Sequence, residues 1–164
     1  MVVHPTDAAF RRFVRLIQAI EIALLTTVDR DGHLHARPLQ TLGVGPDRTL
    51  WFFTDLRSEK VFELERDVRL SLGYADPRGR RYVALGGTGR LLRDPDKARE
   101  LWTVEQRAYY PTGPQAEHLV LLKVQAERAE YWLAPGKTAH MLAALKARIS
   151  GIPAGILGEN HRIP

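Results

Sequence analysis

Apolar positions near the start of the chain recur with a helical period. Phe10, Phe13, Val14 and Ile17 stand at i, i+3, i+4 and i+7, with Arg11, Arg12 and Arg15 on other faces. Thr6 or Asp7 is placed to cap this segment, which predicts an amphipathic helix over residues 7–19. The pattern then becomes β-type. Ile22 to Val28 and His33 to Leu42 are two strand-like runs around Asp29-Arg30-Asp31-Gly32, and Asp-Gly between such runs marks a hairpin. A turn at Gly45-Pro46-Asp47 leads into Thr49 to Phe53, and a short helix is expected from Ser58 to Arg66.

Val68 to Tyr74 and Arg81 to Leu92 form the next expected hairpin, joined by Asp76-Pro77-Arg78-Gly79. Gly86, Gly87 and Gly89 inside its second strand imply a bulge, a bend or a close approach to the backbone. Asp94-Pro95 opens a helix over Asp96 to Arg107, anchored by Leu101 and Trp102. A rigid aromatic loop follows at Tyr109-Tyr110-Pro111. Leu119 to Val124 and Ala129 to Leu133 read as the last strands, and residues 138–149 as a C-terminal helix carrying Met141, Leu142 and Leu145 on one face. Six to seven strands with about four helices, and no regular strand–helix alternation, predict a mainly β fold: a barrel with helical decoration. No linker or repeat divides the chain, so residues 1–164 are expected to form a single domain, with the barrel over 22–133.

Composition narrows the function classes. At 45% apolar and 26% charged, the 164 residues are those of an ordinary globular domain. No apolar run reaches the length of a membrane helix, and the first five residues lack the features of a signal peptide, so a cytoplasmic location is expected. The absence of cysteine removes disulfides, thiolate chemistry and cysteine zinc sites. The net charge of +5 raises the question of nucleic acid, but acidic neighbours interrupt the basic residues. The densest cluster, around Arg78, Arg80 and Arg81, falls in the second hairpin turn, so a solvated turn is favoured over a phosphate-backbone contact.

The most informative stretch runs from Leu50 to Glu63. An aromatic run, Trp51-Phe52-Phe53, ends at Thr54-Asp55, and Ser58-Glu59-Lys60 opens a helix a few residues later. Two hydroxyls, a cation and helix N–H groups suit a phosphate anion, and the aromatic wall suits a flat heterocycle. Ser58 has a second reading as a plain N-cap. Arg37 lies mid-strand beside Pro38; it is either a surface arginine or an anion ligand converging on Thr54–Lys60. His33 and His35, at i and i+2, share a strand face and could ligate a metal, but no third ligand stands at useful spacing, so a solvent-facing pair is favoured and no metal is expected. Hydrolase, nucleotide-triphosphatase and dinucleotide-binding strings are missing.

Arg37-Pro38, Leu50 to Asp55, Ser58-x-Lys60-Val61, Asp76-Pro77, Gly87-Thr88, Glu100-Leu101-Trp102 and Ala129-Glu130-Tyr131-Trp132, in this order and spacing, resemble the FMN-binding split-barrel proteins related to pyridoxamine 5′-phosphate oxidase, in the branch of the bacterial general stress proteins. The resemblance runs from about residue 8 to the Gly158-Glu159-Asn160 tail. It implies a homodimer of split barrels with FMN at the subunit interface. Arg37, Ser58 and Lys60 would hold the phosphate, Pro38 and Leu39 would line the ring, and Phe53 and Thr54 would contact the ring or ribityl chain. Trp132, and with it Trp102, would be interface aromatics.

Two departures separate this chain from the true oxidases. No Arg-x-His segment stands near the C-terminus, and Pro38-Leu39-Gln40-Thr41 lacks their lysine, so vitamin B6 oxidase activity is not expected. The leading expectation is an FMN-dependent redox protein, with substrate and electron donor open. The alternatives are a flavin-binding or stress-response module without turnover, or a split barrel that carries haem or deazaflavin.

Overall fold

The computed structural model describes residues 8–133 and 159–163. Helix α1 (Ala8–Ile20) leads into strands β1 (Ile22–Val28), β2 (Leu34–Gln40), β3 (Gly43–Val44) and β4 (Thr49–Asp55). Helix α2 (Glu59–Arg66), β5 (Arg69–Asp76), β6 (Arg81–Leu92) and helix α3 (Pro95–Glu100) follow. A 3-10 helix (Val104–Ala108), β7 (Leu119–Leu133) and β8 (Glu159–Ile163) complete the described chain. None of its helices is long and apolar enough to cross a membrane.

All strand pairs are antiparallel, in the order β2-β1-β5-β6-β7-β4-β3, with β8 also paired to β7. The sheet curls without closing. β2 has β1 as its ladder partner and packs against β4 with no ladder between them, which leaves a seam. Pro38 sits on this edge strand, where a missing ladder N–H costs nothing. α1 plugs the barrel with Phe10, Phe13 and Ile17, against Leu25, Phe52 and Leu72 among others. Fully burying each such side chain contributes roughly 1.5–3 kcal/mol. Its end is set at Glu21, which takes a left-handed φ of 62° and returns its N–H to Ile17 O at 2.8 Å.

A smaller apolar cluster lies on the outer face of β4. Phe53, Ala98, Leu119 and Leu121 form it, with Trp102 and Tyr110 packed against them. Successive residues of a strand face opposite ways, so Phe52 and Thr54 turn inward while Phe53 turns out to α3 and the following loop.

Three sequence expectations need correction. The helix expected over Asp96–Arg107 stops at Glu100, and Thr103 is extended (φ −126°, ψ 164°) before the 3-10 helix begins. The break coincides with Trp102 packing against Phe53. The two last strands are one 15-residue strand, β7, in which Gln125, Glu127 and Arg128 are outward positions and not a turn. The short β3 and the tail strand β8 bring the sheet to eight strands, where six or seven were expected. The C-terminal helix expected over 138–149 lies outside the described residues.

The glycine reading of β6 holds. Its pairing with β7 shifts register between Gly86 and Gly87, and a Cβ on Gly87 would sit 2.1 Å from the Gln125 carbonyl oxygen. Glycine is required there by contact with the neighbouring backbone.

Candidate functional site at the barrel seam

Thr54, Ser58 and Lys60 come together at the β4–α2 junction. Lys60 Nζ donates to Thr54 Oγ1 at 3.1 Å, and the Thr54 and Ser58 hydroxyl oxygens are 3.2 Å apart. Ser58 is the N-cap residue by position, yet its side chain makes no capping bond. Its hydroxyl donates to the Asp55 carbonyl at 2.7 Å instead. The first turn of α2 therefore lacks a side-chain cap on the side where both hydroxyls and the ammonium gather, which suits an anion. Burial, and next the charge of Arg37, hold the Lys60 ammonium below its usual range.

Arg37 lies on the other side of the seam, on the inward face of β2 opposite Leu25. It is close enough for its charge to act on Lys60, but it makes no hydrogen bond to Thr54, Ser58 or Lys60. Its Nη2 donates to Glu63 Oε2 at 2.5 Å, and its Nη1 donates to the Thr27 hydroxyl and to His35 O at 2.9 Å. The surface reading of Arg37 is thus wrong: its side chain is only 14% exposed and that of Glu63 only 8%.

Glu63 was not singled out by the sequence, although it stands three residues after Lys60 on α2. Its Oε2 also accepts from Thr27, and its Oε1 is 2.9 Å from His35 Nδ1. Burial raises the Glu63 carboxyl, but hydrogen bonds from Thr27, His35 and Arg37, with the Arg37 charge, outweigh it and leave the group below its usual value. His35 Nδ1 also lies 2.7 Å from Arg37 Nη2. One nitrogen cannot both donate to Glu63 and accept from Arg37, so the tautomer decides which bond is made.

An apolar slot of about 290 Å³ opens on the Phe53 face of β4, the face opposite to Thr54. Pro38, Leu39 and Phe53 line it as the sequence suggested, together with Ile22, Gln40, Leu42, Gln106, Tyr109 and Tyr110. Trp102 stands behind Phe53, ring centroids 5.8 Å apart, and Tyr110 meets Phe53 edge-on at 6.1 Å. Burial, aided by Asp55, pushes the Tyr110 phenol up to about 12, so it stays protonated at neutral pH. Buried Gln106 donates from Nε2 to Gln40 Oε1 at 3.0 Å and ties the 3-10 helix to β2. Two side-chain clasps thus bracket Pro38 and Leu39: Arg37–Glu63 on one side, Gln40–Gln106 on the other. Sequence reading missed Gln106 because the expected continuous helix gave it no particular face.

Trp132 pairs with Tyr82 and Asn160 near the far end of β7. Val120, which faces Thr54, is about 40 Å away along the strand at roughly 3.3 Å per residue. The histidines separate: His33 groups with Asp29 and Asp31, and His35 with Glu59 and Glu63, in each case with ligand atoms within 4.8 Å. The shared strand face expected for them is therefore not used, because β2 begins only at Leu34.

An unclosed antiparallel barrel, with a cation–hydroxyl cluster at its seam and an aromatic slot beside it, defines a split-barrel protein. The chain belongs to the pyridoxamine 5′-phosphate oxidase-like family, whose model matches residues 8–153. Similar solved structures include a general stress FMN/FAD binding protein from Xanthomonas citri, 25% identical, with a TM-score of 0.66 over 77% of this chain and 89% of that one. A protein related to general stress protein 26 from Clostridium acetobutylicum is 23% identical, with a TM-score of 0.69 over 77% and 90%. A pyridoxamine 5′-phosphate oxidase-related, FMN binding protein from Nostoc punctiforme is 18% identical, with a TM-score of 0.60 over 81% and 88%. No curated protein matches the chain in sequence.

Proposed function

We propose that this protein binds FMN in the seam and uses it as a redox cofactor. The observation that carries the reading is the convergence of Lys60 Nζ, Thr54 Oγ1 and Ser58 Oγ at the uncapped start of α2; the slot lined by Pro38, Leu39 and Phe53 takes its walls from the chain neighbours of Arg37 and Thr54. The cluster has the donors a phosphate takes, and the slot has the apolar walls a planar ring takes. Arg37 adds its charge from across the seam. Similar structures described as FMN or FMN/FAD binding proteins support the choice of flavin.

When bound, the flavin supplies hydride and single-electron transfer, while the chain binds, orients and shields it. Tyr110 remains a neutral phenol, and Gln40 and Gln106 offer amides at the edge of otherwise apolar walls, a lining that suits a planar heterocycle. The same composition favours a second reading, a flavin-binding module without turnover. Purified protein that binds FMN but is not reduced by a nicotinamide donor supports that reading.

The functional unit of this proposal is a homodimer of single-domain subunits. Ile22 and Leu24, each about half exposed on the outer face of β1, adjoin Pro38 and the 75%-exposed Tyr109 to form an apolar surface beside the slot. Trp132, twelve residues along β7 from the partner of Thr54, is assigned in this proposal to the flavin of the second subunit. The visible spectrum of the protein, as purified and after FMN addition, is the test. A flavin spectrum supports the proposal; a Soret band or a deazaflavin spectrum replaces it with the corresponding cofactor.

A further inference from the structure

The two halves of the candidate phosphate site come from opposite sides of an open seam. Thr54, Ser58 and Lys60 belong to the β4–α2 side, and Arg37 to edge strand β2, which shares no ladder with β4. Arg37 and Lys60 are like charges that repel, since the Arg37 charge is one cause of the lowered Lys60 ammonium. Arg37 nonetheless stays on the inward face of the edge strand, its side chain only 14% exposed. Something must hold it.

We infer that Glu63 is the positioning residue that fixes Arg37 on the inward face of β2, across the seam from the Thr54–Lys60 junction, and so pre-assembles the phosphate site; the inference rests on the flavin reading above. Glu63 is carried by α2, the same helix whose first turn forms the cradle, three residues beyond Lys60. Its carboxylate reaches across the seam to β1 and β2 at once. Oε2 accepts from Arg37 Nη2 and Thr27, and Oε1 meets His35 Nδ1. Thr27 and the His35 carbonyl hold Arg37 Nη1, so both terminal nitrogens of the guanidinium are fixed and its direction is set. Nε–H is the edge that this network leaves for an anion.

Glu63 also carries a negative charge near the place of a dianion, and its net effect on binding is decided by two opposed contributions. Repulsion from the carboxylate opposes binding, but Arg37, Thr27 and His35 spend its lone pairs and Arg37 cancels its charge. Ordering of Arg37 favours binding, because an arginine fixed in advance loses little rotamer freedom when the anion arrives. With its charge paired and its lone pairs taken, the carboxylate is expected to act more through ordering than through repulsion, so removing Glu63 is expected to weaken phosphate binding despite removing a negative charge.

The test uses full-length wild type, Glu63→Leu and Glu63→Gln, each titrated with FMN and with riboflavin, which lacks the phosphate. For Glu63→Leu the FMN affinity is expected to fall about tenfold or more while riboflavin affinity stays within about twofold, since only the phosphate meets Arg37. Glu63→Gln keeps an acceptor for Arg37 and is expected to fall between the two, about three- to fivefold. It carries the test alone if the leucine variant does not fold. An FMN-to-riboflavin affinity ratio equal to or above that of wild type overturns the inference, as does an equal loss of both ligands. Wild type that binds neither ligand overturns the flavin reading itself, and this inference with it.

Discussion

Lys60 Nζ lies 3.1 Å from Thr54 Oγ1, so a cation from the first turn of α2 and a hydroxyl from the end of β4 share one point at the barrel seam. A hydrogen bond to a charged group contributes roughly 1.5–3 kcal/mol. Lys60→Ala is therefore expected to weaken FMN binding by about ten- to hundredfold, with riboflavin little changed. Fluorescence titration of both ligands checks it, and equal losses for both would remove Lys60 from the phosphate site.

The pH dependence of binding follows from the same lysine. Burial and Arg37 depress the Lys60 ammonium in the free protein, and a neighbouring phosphate dianion raises it again. Between these two values the free protein has lost a proton that the complex still holds. Binding there takes up a proton, so FMN affinity falls as pH rises, beginning below the ordinary lysine value of 10.5. In Lys60→Arg the fall shifts to higher pH. Affinities measured across the alkaline range of wild type and variant decide the point.

Arg37 and Glu63 form a largely buried ion pair, and removing one partner leaves the other uncompensated. Arg37→Leu is expected to destabilise the fold by about 3 kcal/mol. The double variant Arg37→Leu/Glu63→Leu should recover much of that loss, because no charge is stranded. Urea unfolding of the single and double variants measures this coupling; strict additivity would contradict it.

Glu63 also sets an acid limit. Its folded-state value lies below the 4.5 of a free glutamate, so its contribution is fully present above that value. The contribution is lost as pH falls through the lower, folded value. Glu63→Gln should accordingly show a shallower loss of unfolding free energy below about pH 4.5. An unchanged slope assigns acid unfolding to other carboxylates.

Gly87 and Gly73 make a matched pair on neighbouring strands. A Cβ at Gly87 meets the Gln125 backbone, whereas a Cβ at Gly73 meets nothing within 4 Å. Gly87→Ala should cost about 3 kcal/mol or more, and Gly73→Ala should change stability by less than about 1 kcal/mol. Thermal unfolding of the two variants separates them directly.

Much of this architecture was legible in local patterns. β1 and β6 run as expected, Ile22–Val28 and Arg81–Leu92, because alternation and turn residues bound both strands. Ser58, Lys60 and Thr54 were visible as a cluster because they lie within seven residues of chain. What local pattern could not show was the partner of Arg37. Glu63 reaches it across 26 residues through the packing of α2 against β1, the neighbour of the edge strand, and along the chain it looked like one more solvated charge. Likewise the break at Trp102 coincides with its packing on Phe53, a residue far away in sequence, and β7 runs on through a bulge of its own at Glu127, opposite Gly86 and Gly87 of β6.

The central claim is that the Thr54–Lys60 junction and Arg37 bind the phosphate of a flavin. Equilibrium titration of the purified wild-type protein with FMN and with riboflavin tests it most directly. Saturable binding of one flavin per chain, with FMN held at least about tenfold more tightly than riboflavin, is the predicted result. Equal affinity for the two, or no binding of FMN, would contradict it.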